Sequence, residues 1–370
     1  MGNAMTLYDQ RAWAEIERWR ASRLSTKART FVPANIRGRM SRTTQSAKER
    51  FEKLPGADAF ESLFVKALGG LLDLGSRAAM ASVRDGAIVE AYRKRGYDVE
   101  GIDDISELKL FQIDKVRPNL SLTYTATATV EGAAAGFAVS GGEIVAAGGS
   151  VFGAGAGGAP GIGTVLSVMA ADAAAVLVGA NRAVAHIAAY YGYDLENPDE
   201  RLFALAVLSM GTATETGKAA AYVELNKLVQ ALARRATWEQ LRQSVVTRVV
   251  DKVFTRLGFR ITQRKLGQAV PIVGTLIGAG LNARLLSSVT DDAQHIYRER
   301  FLRERYGLDP VTTTESPVSS DSEVVDVAEI LEEESTAEEI VTPAPTKNAS
   351  TPARADALRR AWLSGHAFWR

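Results

Sequence analysis

Between Val130 and Tyr191 the chain reads VEGAAAGFAVSGGEIVAAGGSVFGAGAGGAPGIGTVLSVMAADAAAVLVGANRAVAHIAAYY, and its only formal charges there are Glu131, Glu143, Asp172 and Arg182. Gly and Ala dominate this run. Small side chains let helix backbones approach closely, as paired membrane helices do. The run is poor in the Leu, Ile and Phe that make a membrane span. A chain with such a segment folds either around a tightly packed helical core or around a segment that acts on a membrane.

Arithmetic separates the two. The best candidate span is Ile162 to Ala180, with seven Ile, Leu and Val residues. They contribute roughly −3 kcal/mol on the insertion scale, and a central Asp172 costs about 2.5–3.5. The sum is near zero, so simple spanning is not expected. A second uncharged stretch, LGQAVPIVGTLIGAGLNA, covers Leu266 to Ala283. It is near the shortest usable span, and Pro271, Gly274, Gly278 and Gly280 weaken it. Both stretches read as buried core helices, with a shallow interfacial hairpin as the alternative. Gly274 and Gly278 share one helix face and would seat a neighbouring helix closely.

The rest of the sequence reads as helix. Leu7 to Leu24 is amphipathic, with Trp13, Ile16 and Trp19 or Arg20 at helical spacing. Asp58 to Arg95 shows the same period, loosened by Gly69, Gly70 and Gly75. Ile105 to Lys115 reads as one short helix with Ile105, Leu108 and Phe111 on its apolar face and Ile113 as a further candidate for it. SLTYTATATV alternates like a strand, but no second strand exists to pair with it, so helix is expected. Ile162 to Tyr191 is a long helix stopping before Gly192. The segment from Asn197 to Arg235 opens with Pro198, Asp199 and Glu200, a good helix start. Trp238 to Leu257 is amphipathic. The stretch after Ala283 carries His295, Tyr297 and Phe301 and ends near Gly307.

Charge is distributed unevenly, although the net is only +1. Residues 1–55 form a basic arm, with Arg11, Arg18, Arg20, Arg23 and further cations. Such an arm suits an anionic membrane surface or serves as a solvated helix face. Residues 309–353 are acidic and rich in Ser, Thr and Pro, a composition that cannot bury enough surface to order itself. Residues 354–370 regain Trp362, Phe368 and Trp369 among arginines and read as a short amphipathic helix with interfacial anchors. The expected fold is therefore all-α: one multi-helix domain over 1–308, a disordered acidic linker over 309–353, and a terminal helix.

Most chemistry is missing. The chain has no cysteine, which excludes disulfides and thiolate metal sites. Its three histidines form no HExxH-type pair, which speaks against a zinc hydrolase. Gly211 through Lys218-Ala219 lacks the Lys-Ser/Thr ending of a phosphate loop, and GAGAGGAPGIG lacks a flanking βαβ pattern. No catalytic residue, cofactor or metal is expected. Arg37 to Arg42 has no interleaved aromatics, against nucleic-acid stacking. Asp172 and His186 on an apolar helix, with Glu200, are the only motive for a hydrolase of unrecognised type. Charges interrupt every apolar run near the N-terminus, so a secretory signal is not expected and a cytoplasmic location is.

Three blocks together resemble the EcsC protein family. The first is the small-residue region around Val130-Glu131-Gly132, continuing past Pro160 into an Ala-rich helix. The second is Ala189-Tyr190-Tyr191-Gly192-Tyr193-Asp194 followed by Asn197-Pro198-Asp199-Glu200-Arg201. The third is Val270-Pro271-Ile272-Val273-Gly274 through Gly278-Ala279-Gly280-Leu281-Asn282, then Ala293, Tyr297 and Arg300-Phe301. The opening Ala12-Trp13, Ile16 and Trp19 also looks like the start of that family, so the resemblance covers roughly residues 6–308. It implies a bacterial helical protein, encoded in its namesake's case beside an ABC exporter, and implies no reaction. The expected role is a non-enzymatic, membrane-associated accessory protein, with an anionic membrane surface or a membrane protein as partner. A hydrolase and a protein that inserts a Gly/Ala-rich hairpin into membranes are the alternatives.

Overall fold

The computed structural model describes residues 4–24, 83–130, 162–215, 217–234, 243–266, 274–308 and 324–341. Within them the regular structure is helical, with no strand. The helices are α1 (Leu7–Arg23), α2 (Asp85–Arg93), α3 (Leu110–Val116), α4 (Leu120–Val130), α5 (Ile162–Tyr190), α6 (Pro198–Thr212), α7 (Lys218–Arg234), α8 (Gln243–Leu266), α9 (Gly274–Tyr306) and α10 (Val327–Val341). A 3-10 turn spans Asp103–Glu107. The chain divides into a body, Met1–Leu331, and a second unit, Glu332–Arg370.

Local chemistry sets the helix ends. Thr6 Oγ1 accepts the Asp9 N–H and starts α1, and Asn197 Oδ1 accepts the Asp199 N–H with Pro198 in the first turn of α6. Gly192 ends α5 with φ +86°, and Tyr193 N–H bonds back to Ala188 O. A Cβ on Gly192 would also lie 2.6 Å from the Ser106 amide nitrogen, so two demands fix glycine there.

The 33-residue α9 is the axis of the body and packs against α1, α4, α5 and α6. The middle of α6 is buried on every side, from Leu202 to Thr212. The apolar core runs through Ile16, Tyr92, Leu177, Tyr191, Phe203, Val289 and Tyr297.

SLTYTATATV lies in helix α4, as lack of a partner strand predicts. Other expectations change. The single helix over Ile105–Lys115 breaks at Leu108 and Lys109, where the backbone is extended, and the Lys109 N–H is capped by Gln112 Oε1. The break shifts the register, so Leu110, Ile113 and Val116 are buried and Phe111 turns outward. The segment from Asn197 to Arg235 forms two helices, α6 and α7. The expected disorder of 309–353 is corrected over α10: Val325, Val327, Ile330 and Leu331 are buried in the body's core, and Ser209 Oγ donates to Val325 O. An apolar set V-x-V-x-x-I-L inside an acidic stretch supplies enough burial to order it. In the second unit the helix continues to Val341, with Ser335 and Thr336 hydroxyls bonding back to Glu332 O. Most of Asp58–Arg95, Trp238, and the rest of the acidic linker and terminal segment lie outside the described residues.

Candidate functional site

The densest polar chemistry in the body is a seam of charges between α1 and one stripe of α9. Ser288, Asp292, His295, Glu299 and Arg303 recur every three or four residues and so share a face of that helix. The first node is Asp292, which has no exposed surface. Its carboxylate pairs with the Lys218 ammonium and accepts Arg23 Nε at 2.8 Å. Arg23 also donates to Ser288 Oγ at 2.8 Å. Lys218 Nζ reaches Gly211 O at 3.3 Å and Met210 O at 3.4 Å. Those carbonyls belong to the last turn of α6, where orphan acceptors and the helix dipole favour a cation. Lys218 thus closes one helix and neutralises an acid on another. Burial pulls its ammonium below the ordinary lysine value, and Asp292 opposes that shift.

The second node is Glu299. Its Oε1 accepts Arg20 at 2.6 Å, Arg303 at 2.6 and 2.9 Å, and the Tyr222 hydroxyl at 2.8 Å. The Trp13 ring lies under the guanidinia of Arg20 and Arg303, and Trp19 stacks on His295 at 4.8 Å. At the far end Tyr306 donates to Asp9, and Arg298 bridges Glu15 and Asp114 at 2.8 Å each. Amphipathicity alone finds α1's apolar residues. It does not find that Arg20 and Arg23 turn inward. On the opposite face Leu7, Arg11 and Arg18 are exposed.

The residues that motivated a hydrolase do not converge. Asp172 and His186 lie 14 residues apart on α5, a rise of about 21 Å; the Asp172 side chain is outside the described residues. His186 shares a 3.3 Å hydrogen bond with the Tyr124 hydroxyl, and burial together with Arg182 pushes its pKa down to about 4. Glu200 is held by both arms of Arg300, at 2.5 and 2.6 Å, and the guanidinium stacks on Tyr193 and Phe203. Both carboxylate oxygens of Glu200 are thus occupied by Arg300.

Gly274, Gly278 and Gly280 occupy the first two turns of α9, and their surroundings fall outside the described residues, as do Pro271, Trp362, Phe368 and Trp369. Close backbone approach is seen instead at Gly211 on α6, where a Cβ would lie 2.9 Å from Val289 Cα. The sequence signal, a lone Gly inside an apolar helix, was visible there. One helical window among the described residues is long and apolar enough to cross a membrane, Ala173–Tyr190, and 72% of it is buried inside the body.

Residues 145–302 match the EcsC protein family. The chain is 27% identical over 208 residues to the uncharacterized protein YdbA of Bacillus subtilis (strain 168), covering 56% of this chain and 64% of that protein. It is 26% identical over 121 residues to Protein EcsC of the same organism, covering 33% of this chain and 46% of that protein. The match therefore spans less than two thirds of either relative. No solved structure matches the chain. The second and third sequence blocks and the later part of the first fall inside the matched span; the opening helix and Val130-Glu131-Gly132 lie before it.

Proposed function

We propose, starting from the match of residues 145–302 to the EcsC protein family, that the protein is a non-enzymatic accessory protein. It sits peripherally at the inner face of the cell membrane and presents helical surfaces to a membrane partner such as an ABC transporter. The observation that supports this reading is the division of labour on α1. Arg20 and Arg23 are consumed by buried acids of α9, while Arg11 and Arg18 stay on the outward face. A helix fixed rigidly to the body therefore offers cations to the surroundings. Each such cation near an anionic surface contributes about 1 kcal/mol, and two weak anchors together hold a protein that neither holds alone. Trp362, Phe368 and Trp369 are the proposed second anchor.

Flotation with vesicles of phosphatidylcholine containing phosphatidylglycerol tests the reading. Binding should require the anionic lipid, weaken with salt, and fall when Trp362 and Trp369 become Ala. Absence of binding to either vesicle type would remove the membrane from the proposal. Salt-insensitive binding to neutral vesicles with dye release would instead favour insertion of the Gly/Ala-rich segments.

A further inference from the structure

Four large apolar side chains are well exposed among the described residues: Leu7, Tyr8, Phe111 and Leu122. Three of them belong to the junction of α1 and α3. Leu7 is 74% exposed and Phe111 45%, and the Tyr8 and Phe111 rings meet edge to face at 6.3 Å. Isolated exposed apolar residues need no explanation, but a cluster across two helices does.

Cations surround this cluster. Arg11 lies one turn after Leu7 on the same outward face of α1, and Lys115 lies one turn after Phe111 on α3. Lys109 precedes α3, and all three cations are exposed. The nearby acids Asp114 and Glu15 are both bound by Arg298, and Asp114 also accepts the Tyr8 hydroxyl. The apolar tip is thus flanked by three exposed cations, and of the nearby carboxylates Asp114 and Glu15 are tied to Arg298 while Glu107 is exposed beside Lys109. That combination matches an anionic lipid surface, where apolar side chains enter the headgroup boundary and cations meet phosphates.

We infer that the α1–α3 junction is a membrane-docking tip, with Leu7, Tyr8 and Phe111 inserting shallowly and Arg11, Lys109 and Lys115 binding anionic headgroups. This rests on the peripheral membrane reading and assigns it a surface on the body. The inserted residues lie at the surface, so changing them should leave the unfolding midpoint in place. In the full-length chain, Leu7→Ser with Phe111→Ser should lower partitioning onto phosphatidylglycerol-containing vesicles about tenfold or more. Arg11→Gln with Lys115→Gln should lower it on the order of 20-fold at low salt.

The absence of cysteine permits a second readout. A nitrobenzoxadiazole probe on Leu7→Cys or Phe111→Cys should brighten and shift to the blue on adding those vesicles. The same probe on Arg256→Cys, an exposed position of α8, should not. Wild-type binding with unchanged binding of both double variants and no probe response would overturn this docking tip while leaving the broader reading intact. Failure of the wild type to bind the vesicles would overturn both.

Discussion

The two sides of α9 are built on opposite principles. Toward α1 and α7 it buries Asp292 and Glu299, and each acid is met by cations from other elements of the fold. Toward the C-terminal end of α6 it meets a small residue, where Gly211 lets Val289 come close to the neighbouring backbone; Glu200 and Arg300 join the same two helices only near the start of α6. The first side is specified by charge and tolerates little loss of a partner. The second is specified by volume and tolerates little gain of one. A buried ion pair fixes which helix sits where, because a misplaced partner leaves a charge without a counterion; an apolar face of small residues fixes how close the helices come.

The sharpest way to break this contrast is at Asp292. Replacing it with Ala leaves the Lys218 ammonium buried with only neutral partners, two α6 carbonyls and the Ser288 hydroxyl, and should cost about 3–5 kcal/mol in denaturant unfolding. Adding Lys218→Met should recover a large part of that loss. Strict additivity of the two changes would show that the pair is not coupled.

On the small-residue side, Gly211→Ala should cost about 1–3 kcal/mol by overpacking. Val289→Ala should not rescue it, because the added methyl meets the Val289 Cα as well as its side chain. Full rescue would show that the helices can shift apart.

An intermediate effect belongs to His186, a partly buried titratable group that the fold keeps neutral. His186 is depressed to about 4, first by burial and then by Arg182. The unfolded chain takes up that proton near the ordinary value of about 6.5, before the folded chain does. The stability His186 confers is therefore complete above pH 6.5 and is lost as pH falls toward 4, by about 1–3 kcal/mol. Subtracting the pH profile of His186→Gln from that of the wild type should isolate this slope; identical profiles would count against it.

The smallest effect belongs at the rim of the seam. Glu15 is about half exposed where it meets Arg298, so Glu15→Gln should change stability by less than about 1 kcal/mol, and less in high salt. A loss as large as that of Asp292→Ala would mean that burial does not order the seam.

Helix identity was legible because periodicity and end signals agree along most of the chain. Asn197-Pro198 and Gly192 mark their helix ends as the sequence suggests. Phe111 was misplaced because the extended Leu108 and Lys109 interrupt the helix and shift its register, which periodicity does not detect. Residues 327–341 were misjudged because average composition hid a local apolar set. The charge seam was not legible at all. Arg20 and Arg23 look like any surface arginines until a partner more than 260 residues away is placed beside them. The packing expected at Gly274 and Gly278 falls outside the described residues; among the described residues, close approach is seen at Gly211.

That separation has a consequence during synthesis. Arg23 and Asp292 are 269 residues apart, so α1 leaves the ribosome long before its seat exists. At about 5–20 residues per second the delay is roughly 13–54 s. Throughout it the face carrying Ile16 and Trp19 lacks its seat on α9, although α3 is already made and available to α1. Closing the fold is then the task of its last long helix, and a ribosome-stalled chain ending before Asp292 should still show α1 open to proteolysis.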